Sequence, residues 1–200
     1  MAVKFKLNTS DGDPVYQSDD LNGAPLNVAV GGTGASTQAG VSASLLIPYL
    51  LQKSSVPVSS SNDTNETAFA SVSVAANALG SNGQLVVNTS WTFSGTGANK
   101  TMRVRYNGIS GVAFLSSLQN ATVVTGVQAS TTIGQNNSTF SQVGSSMIVN
   151  SAGTSAINQQ SATAAADTAA ATSIVITGTK GTGTDTLTLN HYTVELLYGA

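Results

Sequence analysis

From about residue 65 onward, apolar and polar positions alternate in short runs broken by turn residues. In AFASVSVAANAL the apolar set is Ala68, Ala70, Val72 and Val74. In LVVNTSWTFSG it is Leu85, Val87, Trp91 and Phe93, with Thr89 in step. In TMRVRYNG, Met102, Val104 and Tyr106 share one face, and Arg103 and Arg105 the other. ISGVAFLSSL, TVVTGVQASTTIG and FSQVGSSMIVN follow, and SIVITGTKGTGTDTLTLNHYTVELL ends the chain as two strands around a Gly/Thr/Asp turn. A period of two marks strands with one face buried. About eight short strands with turn signals between them predict an all-β sandwich, jelly-roll-like and antiparallel. Asn82-Gly83 is a turn signal. The alanine-rich Ser161–Ala170 lacks an apolar stripe and is read as loop or strand. In the last strand Leu187 and Leu189 share one parity and Tyr192, Val194 and Leu196 the other. A bulge near Asn190–His191 reconciles them, as would burial on both faces.

The first 60 residues read differently. Val3, Phe5 and Leu7 alternate with Lys4 and Lys6, as in a half-buried strand. DGDPVYQSDD is turn-rich, and LNVAV is a second apolar stretch ending at VGGTGAST. Thr37 can cap a short helix across Gln38–Ile47, which Pro48 ends. Ser-rich residues 52–64 have linker composition, with a short strand at Val56–Val58. The expected organisation is an extended N-terminal arm with one short helix over 1–60, then a sandwich over 65–200.

Charge changes the picture. Only 8% of residues are charged, against about 25% in an average soluble protein. Seven Lys plus Arg and a net charge of −2 argue against nucleic acid, which needs clustered cations. Low net charge also lowers the barrier to self-association. The absence of cysteine removes thiolate chemistry and disulfides. MAVKFKLNTS has no apolar h-region behind its lysines, and no apolar run approaches the ~20 residues that cross a bilayer. A membrane partner is therefore not expected.

Candidate chemistry is sparse. Gly31, Gly32 and Gly34 suggest a phosphate loop, yet neither Lys nor Arg lies between Lys6 and Lys53, so the Walker lysine is missing. Thr37 stands where a dinucleotide fingerprint needs its third glycine. His191 is the sole histidine; a triad would need it beside Asp167 or Asp185. Asp11, Asp13, Asp19 and Asp20 offer oxygen ligands without EF-hand spacing. Asp63, Glu66, Asp167, Asp185 and Glu195 are the carboxylates available for glycoside hydrolysis. Arg103 and Arg105, with Lys100 nearby, are a possible anionic-ligand patch or the polar side of a strand. These residues assign no catalytic, cofactor-binding or metal site, and the expectation is a protein without enzymatic activity.

VGGTGASTQAG resembles the GGTG-A-[ST]-T connector of tail-fibre and other virion proteins of tailed bacteriophages. TNETAFASVSVAANALGSNGQL, SGTGANKTMRVRYNG and SIVITGTKGTGTDTLTLNHYTVELL resemble, in that order, a β-sandwich domain of phage structural proteins. The resemblance implies a homotrimeric virion protein: a capsid decoration (cement) protein, a head fibre or a fibre tip. The chain has no long shaft repeat, which favours capsid decoration over a tail fibre. On that reading residues 1–60, through Val3, Phe5, Leu7, Val28 and Val30, attach to the major capsid protein or another virion protein. Gly31, Gly32 and Gly34 form the connector. A receptor- or glycan-binding fibre module that meets host surface glycan is the alternative, and a polysaccharide-acting sandwich enzyme is a third.

Overall fold

A computed structural model describes residues 47–120, 124–151 and 160–199. The attachment residues Val3, Phe5, Leu7, Val28 and Val30 and the connector Gly31, Gly32 and Gly34 lie outside the described residues. So does the expected helix, except for Ile47, which is irregular.

Among the described residues, eleven strands form two antiparallel sheets: β1 (Tyr49–Ser54), β2 (Val58–Ser59), β3 (Thr67–Val74), β4 (Gln84–Ser94), β5 (Asn99–Tyr106), β6 (Val112–Asn120), β7 (Gly126–Gln135), β8 (Gln142–Asn150), β9 (Gln160–Ala164), β10 (Thr172–Lys180) and β11 (Thr186–Leu197). The larger sheet runs β1-β11-β4-β7-β8-β9, with β2 also paired to β11. The smaller runs β3-β10-β5-β6. The last two strands thus slot between early ones, one in each sheet. The architecture is the all-β, jelly-roll-like antiparallel sandwich that the alternation predicts. The eight alternating runs became strands, and β9 formed at the start of the alanine-rich segment. Residues 52–64, a linker by composition, instead add to the larger sheet through the end of β1 and through β2. Strand pairing there is decided by an open edge on β11, which composition does not display.

The core lies between the sheets. Leu85, Val87, Trp91 and Phe93 from β4 and Leu187, Leu189, Tyr192, Val194 and Leu196 from β11 face Val72, Val74, Met102, Val104, Ile174 and Ile176. Each fully buried large apolar side chain contributes about 1.5–3 kcal/mol relative to exposure. Three bulges set the packing. Asn190 is skipped between Leu189 and His191 opposite β4, so the parity change of the last strand is a bulge, and one face alone is buried. Phe69 is skipped in the β3–β10 register. It turns inward, to 5.1 Å edge-on from Trp91, and Ala68 is left exposed where alternation had placed it inside. Phe114 is skipped between β5 and β6 and meets Tyr106 edge-on at 6.2 Å. At both phenylalanines, burying an aromatic ring outweighs one regular ladder step.

Turn chemistry also moved. Asn107 and Gly108, which join β5 to β6, have φ of 68° and 86°, the left-handed pair that Asn-Gly favours. Asn82-Gly83 does not; it sits in a loop that crosses between sheets, where Gly83 N donates to Leu79 O at 2.8 Å.

Candidate functional site

Lys100 shares its parity with Met102, Val104 and Tyr106 and is fully buried, so it does not join Arg103 and Arg105 on the outer face. Its register partner on β10 is Lys180, also buried. Two inward lysines directly opposite each other would repel. Each ammonium instead finds an acceptor for each of its three donors. Lys100 Nζ donates to Asp185 Oδ2 at 2.5 Å, Ala98 O at 2.9 Å and Thr96 O at 3.1 Å. Lys180 Nζ donates to Asp185 O at 2.7 Å, Gly183 O at 2.9 Å and Ser61 O. Thr96 N completes the knot at 2.7 Å from Asp185 Oδ1. The Lys100 ammonium, and then the Thr96 backbone N–H, hold the Asp185 carboxyl down at about 2. Gly95, at φ 110°, lies where a Cβ would run into Asp185, which the left-handed backbone and the close approach both forbid. The knot ties the β4–β5 turn, the β10–β11 turn and the Ser61 segment together.

Arg103 and Arg105 do lie on the outer side of the smaller sheet, but with a carboxylate between them. Glu66 takes Arg105 bidentately, Nε to Oε1 at 2.7 Å and Nη2 to Oε2 at 2.9 Å. Arg103 Nη1 stands 3.6 Å from Oε2, and Thr177 Oγ1 donates to Oε1. The Arg105 hydrogen bonds hold the Glu66 carboxyl below its usual range against partial burial. The patch is thus partly neutralised by its own acid.

The other candidates are dispersed. Asp63 caps a turn, accepting from Asn65 N at 2.8 Å and Ser61 Oγ at 2.9 Å, and the Asn65 N–H lowers its pKa first. Asp167 accepts from Ala169 N at 2.9 Å. Glu195 lies on the outer side of β11, half-buried. Asp185 is committed to Lys100. Among the described residues, no hydrogen bond joins His191 to Asp167 or Asp185, and no three His, Cys, Asp or Glu gather as metal ligands. Asp11, Asp13, Asp19 and Asp20 lie outside the described residues.

Among the described residues, a concave surface lies on the outer side of the larger sheet. Register aligns His191, Ser90, Gln128 and Val149 in one cross-strand row and Thr193, Asn88, Ser130 and Met147 in the next. Between them runs a groove of about 310 Å³ bordered by Asn88, Gln128, Ser130, Met147, Val149 and His191. It continues past Gln128 and Val149 into a depression of about 250 Å³ at Gly126, Asn150 and Ser151. Its polar groups are amides, hydroxyls and the His191 imidazole beside an apolar edge. They can hydrogen-bond a polyhydroxylated ligand or a polar protein face. Sequence reading singled out His191 but missed these rows, because the partners come from separate strands. A second signal was on view and unused: from Tyr106 to Ala166 the chain carries no Asp, Glu, Lys, Arg or His.

No protein-family model matches the chain, and no curated protein sequence matches it. Among solved structures, the Lotus tetragonolobus seed lectin is similar over 75% of this chain and 92% of its own, with 11% identity and a TM-score of 0.37. Lectin I from Ulex europaeus, solved with the methyl glycoside of α-L-fucose, is similar over 70% and 98%, with 8% identity and a TM-score of 0.32. The VP2 subviral particle of infectious bursal disease virus is similar over 96% of this chain and 45% of its own, with 15% identity and a TM-score of 0.30. At these values the likenesses give no residue a role.

Proposed function

We propose that this chain is a structural subunit of a bacteriophage virion, a homotrimeric capsid decoration (cement) protein without catalytic activity. In this reading residues 1–60 attach it to the major capsid protein and the sandwich projects from the shell. One observation supports it above the others. Lys100, Lys180, Asp185, Glu66 and Arg105 are spent on tying loops and strands to one another. The outer side of β4, β7 and β8 in the larger sheet carries no charged side chain. Such a surface suits packing among subunits better than steering a charged substrate. The GGTG connector and the three ordered sandwich segments point the same way by resemblance. Cryo-EM of particles carrying the chain tests the proposal: density on the head surface, at three-fold clusters, is expected. Density confined to the tail tip overturns it.

The groove at Asn88, Gln128, Ser130 and His191 favours a second reading, a fibre module that binds host surface glycan. Its amides and hydroxyls match sugar hydroxyls, but its border contains no Phe, Tyr or Trp ring for stacking. A glycan array with purified protein decides it. A signal abolished by Asn88→Ala and Gln128→Ala supports that reading, and a blank array removes it.

A further inference from the structure

The charged residues of the sandwich are segregated. The uncharged run from Tyr106 to Ala166 builds β6, β7, β8 and β9, which are one whole edge of both sheets. β4, beside β7, is uncharged as well. The outer side of β4-β7-β8-β9 is therefore continuous and free of formal charge. Along its β8 ridge stand Val143, Met147 and Val149, 43%, 51% and 48% exposed, with Ser145 between them. Exposed sheet edges are ordinarily guarded by charged side chains, lysine above all, and by proline. Neither β8 nor β9 carries any such guard.

We infer that this face is where copies of the chain meet, with the β8 ridge at the centre of the contact. The inference rests on the reading of the chain as a self-associating virion subunit and assigns that contact a place. A second copy is the occupant that the electrostatics fit. A neutral face meets another neutral face without like-charge opposition, whereas a charged partner would lose hydration with nothing to answer it. Amides and hydroxyls in the Asn88 and Ser90 rows can both donate and accept, so they can pair with themselves. Size fits too. With strands about 4.8 Å apart rising about 3.4 Å per residue, four strands of this length present on the order of 600 Å² in projection. The accessible area of such a corrugated face is larger, in the range of the ~800 Å² per partner of a stable interface.

The test is the solution mass of the full chain with Met147→Lys and Val149→Lys together, against wild type and Leu118→Lys. Leu118 is 61% exposed on the outer side of the smaller sheet. Light scattering should give an oligomer for wild type and Leu118→Lys. The β8 variant should give the 20.1 kDa monomer with an unchanged circular dichroism spectrum, its dissociation constant raised at least ~100-fold. A monomeric wild type overturns both this inference and the trimer. An oligomeric wild type whose β8 variant stays assembled overturns this inference alone. Should the β8 variant unfold, Ser145→Cys decides, since the chain has no other thiol. Its labelling by a maleimide should be slow at assembling concentration and fast on dilution, and equal rates overturn the contact.

Discussion

Lys100 and Lys180 face each other directly across β5 and β10, inside the sandwich, and one residue answers both. Asp185 gives a carboxylate oxygen to the first and its main-chain carbonyl to the second. Two buried cations thus share one counter-charge and five main-chain carbonyl contacts. Removing the carboxylate leaves the Lys100 ammonium buried without its charge partner, among the more damaging of single changes.

Asp185→Asn should accordingly lower Tm on the order of 10 °C, measured by differential scanning calorimetry at pH 7. Lys100→Met, which removes the cation and keeps the stem volume, should still destabilise, because the buried Asp185 carboxylate then keeps its Thr96 hydrogen bonds but loses its charge partner.

The same residue predicts an acid transition. Its pKa falls from 3.8 to about 2 on folding, so the folded state binds fewer protons than the unfolded state between those values. The stabilisation is complete above about pH 4 and is lost as pH falls toward 2. Glu66 and Asp63, also lowered, act in the same direction. Wild-type stability should drop across that window, and Asp185→Asn should flatten the drop. An equally steep pH profile in the variant would rule out the knot as its source.

Glu66→Gln should act more mildly, on the order of 1 kcal/mol, because the Arg105 pair is part-exposed and screened. It also releases Arg103 and Arg105 from their acid. Thermal shift should show sulfate stabilising the variant and not the wild type.

Tyr106→Phe should leave Tm unchanged or raise it by a few degrees. The buried hydroxyl has no partner in good hydrogen-bond geometry, Thr172 and Gln135 making at most weak approaches, and deleting a poorly satisfied polar atom relieves its desolvation cost. Burial pushes this phenol up to about 12. In wild type its stabilisation is complete below about pH 10 and lost as pH rises toward 12, and the Phe variant should lose that dependence.

Truncation tests where the sandwich begins. A chain starting at residue 48 keeps β1 and β2 on β11 and should fold. A chain starting at residue 61 loses both, together with the bonds between Ser60 and Leu187, and bares the β11 edge. It should melt lower and aggregate sooner. Equal melting temperatures would show that β1 and β2 add nothing.

Much of this protein was legible in its order of residues. Alternation is local: a strand with one buried face must show period two whatever its neighbours are. It marked eight strands, the inward Trp91 and Phe93, and the parity change near Asn190, which a bulge and burial on both faces explained equally well until the β4–β11 register showed the bulge. What depends on partners was not legible. Phe69 turns inward because Trp91 on the opposite sheet receives its ring, and Phe114 because Tyr106 on the neighbouring strand does. Lys100 lies inside because a turn far along the chain delivers the Asp185 carboxylate, and Lys180 because the turn that follows it and the distant Ser61 carbonyl receive its ammonium. The groove rows at Asn88 and Gln128 come from register among strands far apart in sequence. Segregation of charge could be read along the chain. Only the tertiary structure gathered the uncharged strands into one face, because strand order in a sheet is set by long-range pairing and not by neighbourhood in the chain.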